Sequence, residues 1–310
     1  MNKFISVVTP TFNEIGNIEL LYKEIKKIFQ DIDIKYEHIV IDNNSDDGTQ
    51  ELLKKIAKDD KNFKVIINSQ NFGQVKSPFH GLIQGKGDAT ILICADFQTP
   101  LSVIPKLIEK WNIGEEKIIL TQKITSEENI FLKGIRNFYY LLLKKFSEKE
   151  IVKHTTGDGI YDKEIIKIFR RIEDPSPFLR GLVSEIGYKV GTVEYDQQNR
   201  KFGKTKNNFF SLFDVALLGL IKHSNFFLRM MTIFGLIMGV MSFLSSVTFL
   251  LYKLFFWNSF QLGIAPLVIG MFFLASIQIF FLGLIGEYVS LILSYKKKYP
   301  LVIEKERINF

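Results

Sequence analysis

Short apolar runs alternate with polar turns and amphipathic stretches through the first part of the chain. Residues 4–9 (FISVVT) form a β-rich run. The polar segment PTFNEIGN follows, and apolar residues at helical spacing then predict a helix over 18–30 with Asn17 as its cap. The alternation repeats as a strand over 38–41, a polar turn over 42–48, a helix over 49–58, and strands over 63–67 and 89–94. Strands alternating with helices at this spacing imply an α/β domain, a mostly parallel sheet with helices on both faces. Such sheets bind ligands at the carboxyl ends of their strands. The informative positions are therefore Asn13 and Glu14, then Asp42, Asn43 and Asn44, then Asp96 and Gln98.

The pattern changes in the last third. No charged side chain occurs over 230–252 or over 254–286. At about 1.5 Å per residue the first stretch suffices to cross a hydrocarbon core of roughly 30 Å. Gly263 and Pro266 start the second helix near residue 264, so a hairpin of two transmembrane helices is expected over about 230–252 and 264–286. Lys222 and Arg229 precede it, Lys296, Lys297 and Lys298 follow it, and only Lys253 lies in the connection. This charge bias puts both long ends on the cytoplasmic side of an inner or plasma membrane. The organisation expected is a cytoplasmic domain over 1–206, a juxtamembrane amphipathic helix over 207–225, the membrane hairpin within 226–295 and a basic tail over 296–310. The apolar stripe of that amphipathic helix (Phe209, Phe210, Phe213, Ala216, Leu217, Leu220, Ile221) suits either the membrane interface or the core of the domain. Glu287, near the cytoplasmic end of the second helix, suits the headgroup level or a basic partner ahead of a functional pocket.

Charge sharpens this division. The net charge of +7 lies entirely beyond residue 188: residues 1–188 carry 27 basic and 27 acidic side chains, and residues 189–310 carry 13 and 6. A globally basic nucleic-acid binder is thereby disfavoured. Cys94 is the only cysteine, which excludes a disulfide framework and a zinc site of several cysteines, and suits a reducing compartment. Residues 1–9 lack the charged and long apolar regions of a cleavable signal peptide. His38, His80, His154 and His223 are scattered and read as structural or surface residues. No GxGxxG follows the first strand and no GxxxxGK motif occurs, which disfavours dinucleotide and P-loop enzymes. What remains is a set of carboxylates and amides at strand ends, suited to a hard divalent cation and to a ribose or base.

Four segments occur in order: Ser6-Val-Val-Thr-Pro-Thr-Phe-Asn-Glu14, Ile41-Asp-Asn-Asn-Ser-Asp-Asp-Gly-Thr49, Gly87-Asp88 and Ala95-Asp-Phe-Gln-Thr-Pro100. Together they resemble the nucleotide-sugar signature of family 2 glycosyltransferases with the GT-A fold. With Arg200-Lys-Phe-Gly-Lys-Thr-Lys206, the paired helices and Gly283-Leu-Ile-Gly-Glu-Tyr288, nearly the whole chain resembles the polyprenyl-phosphate branch. That branch includes dolichyl-phosphate mannose synthase and the bacterial bactoprenol-phosphate glucosyltransferases. The resemblance implies a UDP- or GDP-sugar donor whose base and ribose meet Pro10, Phe12, Glu14, Asp42 and Asn43. It implies a divalent metal, Mg2+ or Mn2+, on Asp96 and Gln98. It puts Asp158, in Thr156-Gly157-Asp158 ahead of a helix starting near Lys163, on the acceptor side as catalytic base. A phosphate monoester acceptor has its second pKa at about 6, so an orienting role for Asp158 stays open beside the base. Lys123, Lys133 and Arg136 would meet the acceptor phosphate, while Arg200, Lys204 and Lys206 would close over the diphosphate.

The implied reaction is inverting transfer of a sugar to an undecaprenyl- or dolichyl-type phosphate at the cytoplasmic membrane face, by a homo-oligomer with no nucleic-acid partner. Two positions depart from the family pattern. Cys94 stands where an acid often precedes Asp96 by two residues, and Asn43 replaces the second acid of the usual DDGS turn. Both departures bear on donor identity. A membrane-anchored transferase with a different acceptor or a processive polysaccharide synthase is the first rival, the synthase because Gln197 and Arg200 have the spacing of a QxxRW motif, although Lys201 replaces its Trp. A non-catalytic nucleotide-sugar-binding scaffold is the second.

Overall fold

The apolar runs build the centre of one sheet. In the computed structural model, which describes residues 3–124, 152, 155–198, 217–218, 222, 226–256, 264–297 and 299–310, four strands lie parallel. They are β1 (Phe4–Thr11), β2 (Lys35–Asp42), β3 (Phe63–Asn68) and β4 (Ala89–Leu92), in spatial order β4-β1-β2-β3. Successive side chains leave a strand on opposite faces. Val40, Val65 and Ile67 enter one apolar layer, and Ile39, Ile41 and Ile66 enter the other. Because both layers are covered, these strands are apolar almost throughout. Helices α1 (Ile15–Asp31), α2 (Thr49–Asp59) and α4 (Val103–Ile113) cover the first face. Helices α3 (Gly73–Gln84), α5 (Lys163–Phe169) and α6 (Leu179–Glu185) cover the second.

The sheet is wider and more mixed than the alternation of strands and helices implies. Strands β5 (Ile118–Lys123), β6 (Thr155–Asp162), β7 (Val190–Tyr195) and β8 (Glu304–Ile308) extend it to eight, in the order β7-β5-β6-β4-β1-β2-β3-β8. Strand β6 runs antiparallel between β4 and β5, and β8 runs antiparallel to β3. Gly159 of β6, paired with Leu92 and Leu120, has φ +154°, and a Cβ there would collide with the Ile119 carbonyl oxygen. Gly159→Ala is expected to cost about 3 kcal/mol, read as a lowered thermal midpoint in detergent.

Helix α1 starts three residues earlier than expected. Its first N–H groups find acceptors on the loop after β2: Glu14 N donates to Thr49 Oγ1 (3.1 Å) and Ile15 N to Asp47 Oδ2 (3.3 Å). Asn17 is therefore buried inside the helix, donating to Glu14 Oε2 at 2.5 Å, and does not cap it. Helix α5 begins at Lys163 as expected, capped by Asp162, whose carboxylate accepts from Glu164 N.

Two long apolar helices follow, α7 (Phe226–Phe255) and α8 (Ile264–Lys296), and both expected windows lie inside them. Within α8, Phe273–Lys296 is long and apolar enough to cross a membrane, while the apolar stretch identified in α7, Met230–Met241, is shorter. Leu236, Phe255 and Ile279 are 69%, 79% and 69% exposed, an apolar surface of a kind that water-soluble proteins rarely present. The segment 296–310, expected as a tail, contributes strand β8. Asn309 Nδ2 donates to the carbonyls of Ala57 (2.6 Å) and Phe63 (2.9 Å), and His80 Nε2 lies 2.6 Å from Glu304 Oε1. Lys133, Arg136, Arg200, Lys204, Lys206, His154, His223 and nearly all of the stripe over 207–225 lie outside the described residues.

Candidate active site

The loops leaving β1 and β2 are stitched together. Asn13 N donates to Ser45 Oγ (2.7 Å), its Nδ2 donates to Asp46 Oδ1 (2.7 Å), and Asp46 N returns a bond to Asn13 Oδ1 (2.9 Å). Asp42 is fully buried and accepts from Ser45 N (2.9 Å) and Ser45 Oγ (2.5 Å). Burial pushes its carboxyl above the ordinary range, against the pull of those bonds. Asn43 accepts from Phe72 N (2.9 Å) and Asn68 Nδ2 (3.1 Å) and donates to Asn71 Oδ1 (2.7 Å). It thus ties β2 to the segment before α3. Pro10, Phe12 and Glu14 are half-buried at the end of β1.

Beyond β4, burial alternates. Ala95, Phe97 and Thr99 are buried, while Cys94, Asp96 and Gln98 are half-buried. Gln98 N donates to Asp96 Oδ1 at 3.2 Å, so Asp96 closes its own turn, and Ser102 stands at the N-cap of α4. Phe97 has φ +57°, with its ring packed into the layer under α1 and α4. Asn13 (φ +56°), Asn44 (φ +64°) and Phe97 thus put left-handed backbone just after each of three adjacent parallel strands. Such strain persists only where surrounding contacts impose it, and it concentrates at functional sites.

Opposite this loop stands Asp158, in the middle of β6 and 4% exposed. Cys94 Sγ lies 3.6 Å from its Oδ1, and Thr99 Oγ1 lies 3.3 Å from its Oδ2 and 3.3 Å from the Tyr195 hydroxyl. Burial pushes the Asp158 pKa up to about 6, with the Asp96 charge adding to it and hydrogen bonds from Cys94, Thr99 and Thr156 opposing it. The tertiary fold thus joins Cys94, Asp96, Gln98 and Asp158 to Thr99 and Tyr195, which sequence reasoning had not singled out. Thr99 lay within the 95–100 motif; Tyr195 ends β7 and carried no local signal. Gln198 N donates to the Gln98 carbonyl at 3.1 Å, tying the segment beyond β7 to this loop. Lys123 pairs in register with Tyr195 at the end of β5.

Asp96 and Gln98 offer a carboxylate and an amide oxygen, the hard donors that Mg2+ or Mn2+ prefers. Among the described residues no three His, Cys, Asp or Glu side chains gather into a self-sufficient cage. The set fits a cation whose remaining positions are filled by substrate phosphates and water.

Residues 6–170 match the family model described as Glycosyl transferase family 2. A prophage bactoprenol glucosyl transferase homolog of Escherichia coli (strain K12) is 30% identical over 301 residues, covering 97% of this chain and 98% of that one. The bactoprenol glucosyl transferase of Shigella phage SfV is 29% identical over 306 residues, covering 98% and 99%. Among solved structures, glucosyl-3-phosphoglycerate synthase from Mycobacterium tuberculosis, in complex with Mn2+, uridine diphosphate and phosphoglyceric acid, shares the fold. Its TM-score is 0.51 at 18% identity, over 71% of this chain and 76% of that one. With the family pattern running over more than half of its length and these relatives matching nearly all of it, the chain belongs to glycosyl transferase family 2 and has the GT-A fold.

Proposed function

We propose that the protein moves a sugar from a nucleotide-sugar donor to a polyprenyl phosphate at the cytoplasmic face of a membrane, inverting the anomeric configuration. The observation that carries this reading is the extent of the kinship. The match to bactoprenol glucosyl transferases covers 97–98% of the chain and so runs through both apolar helices, taking in the elements that would meet a lipid as well as the donor domain. Topology supports it. Strand β8 shares a sheet with β3, which favours residues before and after the helices lying on one side of a bilayer with an even number of crossings between them. Two spans with both ends cytoplasmic satisfy that condition and the flanking Lys and Arg residues.

In this reading Pro10, Phe12, Glu14, Asp42 and Asn43 shape the base and ribose site. Asp96 and Gln98 would hold a divalent cation, Mg2+ or Mn2+, which when bound neutralises charge developing on the departing diphosphate. An oxygen of the lipid phosphate bonds to the anomeric carbon. The bond from that carbon to the diphosphate breaks, and its electron pair leaves with the nucleoside diphosphate. A phosphate monoester has its second pKa at about 6, matching Asp158 at about 6. A proton on the monoanionic acceptor therefore passes to Asp158 with little free-energy change. Thr99, hydrogen-bonded to Asp158 and Tyr195, sets the orientation of that carboxyl. Lys123, Lys133 and Arg136 are assigned to the acceptor phosphate, and Arg200, Lys204 and Lys206 to the diphosphate.

The test is to incubate membranes containing the protein with a panel of labelled sugar nucleotides, with and without added polyprenyl phosphate and divalent cation, then extract with organic solvent. Label should enter the lipid phase with one donor, only with the cation present, and mild acid should release it as a monosaccharide. Label in long glycan chains would favour a processive synthase, and no transfer from any donor would overturn the reading.

A further inference from the structure

A second polar cluster lies at the foot of the apolar helices, away from the site just described. Lys222, four residues before α7, forms an ion pair with Asp174, in the segment between α5 and α6, and the two side chains are 8% and 4% exposed. Lys222 Nζ also donates to the Ser176 carbonyl at 2.8 Å. From the last turn of α8, the Tyr295 hydroxyl donates to Asp174 Oδ1 at 3.3 Å, and Lys222 Nζ stands 5.7 Å from the centre of the Tyr295 ring. One carboxylate thus gathers a residue just before the first long helix and one in the last turn of the second. Burial holds the Lys222 ammonium below its ordinary pKa, against the pull of Asp174.

Among the described residues, the cluster connects to the Asp158 side of the site. Asp174 and Ser176 lead into α6, and the Leu179 side chain at its start fills the space beside Gly157, 3.1 Å from where a Cβ would stand, with φ +98° at that glycine. Gly157 adjoins Asp158. The loops after β1 and β2 are held by a separate set of bonds among Asn13, Asp42, Asn43 and Ser45. A displacement at the helix feet therefore reaches Asp158 before it reaches the strand ends that carry Asp42 and Asn43.

We infer that Asp174, Lys222 and Tyr295 are positioning residues that fix the Asp158 side of the catalytic domain against the bilayer, so that a membrane-held acceptor phosphate arrives in line with the sugar. The inference rests on the polyprenyl-phosphate reading. A paired, buried charge is costly to break but can be replaced by a neutral pair of similar shape, which supplies a variant that keeps its fold: Asp174→Asn with Lys222→Met.

The experiment uses the full chain in lipid vesicles and compares a long polyprenyl phosphate in the bilayer with a short, water-soluble prenyl phosphate. In the double variant the KM for the long acceptor should rise by about tenfold or more. The KM for the donor, turnover on the short acceptor and the thermal midpoint should stay at wild-type values, and Lys222→Arg should retain activity on both acceptors. An unchanged KM for the long acceptor, or equal losses on long and short acceptors, would overturn the inference. Wild-type protein that transfers sugar to neither acceptor would instead overturn the reading on which it rests.

Discussion

Asp96→Asn is expected to lower transfer to lipid by about 10³-fold or more while leaving the thermal midpoint of the protein unchanged. The substitution keeps the size of the side chain and an oxygen able to accept from Gln98 N, the bond that closes the turn after β4. What it removes is the charge. A cation bridging the protein and a diphosphate draws its affinity from anionic ligands, and the described residues place no three acidic, histidine or cysteine side chains together to compensate. The Asp96 charge also raises the pKa of Asp158, so residual activity in the variant should persist to lower pH than in the wild type. Lipid-phase label measured against pH reads both effects. Activity within about tenfold of wild type would remove Asp96 from the chemistry.

Asp158→Asn should act in opposite directions on stability and turnover. Without donor or metal, the buried Asp158 carboxyl has a pKa of about 6 against an ordinary 3.8. The folded protein therefore takes up this proton before the unfolded chain does as pH falls. Stability contributed at this position rises between pH 6 and 4 and is lost as pH climbs through 6. At pH 7.5 the ionised carboxylate costs the fold about 3 kcal/mol, which a neutral amide of the same shape recovers. The thermal midpoint of the variant should rise by several degrees at pH 7.5, with little change at pH 4.5, while turnover falls by about 10²-fold or more. Wild-type turnover should decline below pH 6. A variant less stable than wild type at pH 7.5 would mean that Asp158 is not held as a buried charge.

The legible parts of the fold are those in which each residue's local surroundings decide its state. Strands β1 to β4 read as apolar runs because helices bury both of their faces, so nearly every side chain had to be apolar. The end of β6 was legible through the helix that starts at Lys163, where Asp162 caps its own neighbour. Strand β6 was not legible itself, since TTGDGIYD carries glycines and polar residues that only the close approach of β4 and β5 explains. Strand β8, EKERI, alternates charges with little apolar content, and its partner β3 lies more than two hundred residues earlier. The start of α1 escaped local reading for the same reason, because its acceptors belong to Asp47 and Thr49.

From sequence alone came the class of domain, the strand ends, Asp96 among them, where ligands are expected, and the two apolar stretches; the family resemblance added Asp158 as a separate candidate. Periodicity and composition carry the first three because burial and helix formation are governed mainly by neighbours in the chain. Only the tertiary structure brought Asp158 into contact with Cys94 and Thr99, added Tyr195 behind them, spent Asn43 on loop closure and turned the expected tail into an edge strand. It also joined Lys222, Asp174 and Tyr295 at the foot of the helices. Hydrogen bonds between distant segments and the burial of a charge depend on which surfaces close upon one another, and no local window of residues specifies that.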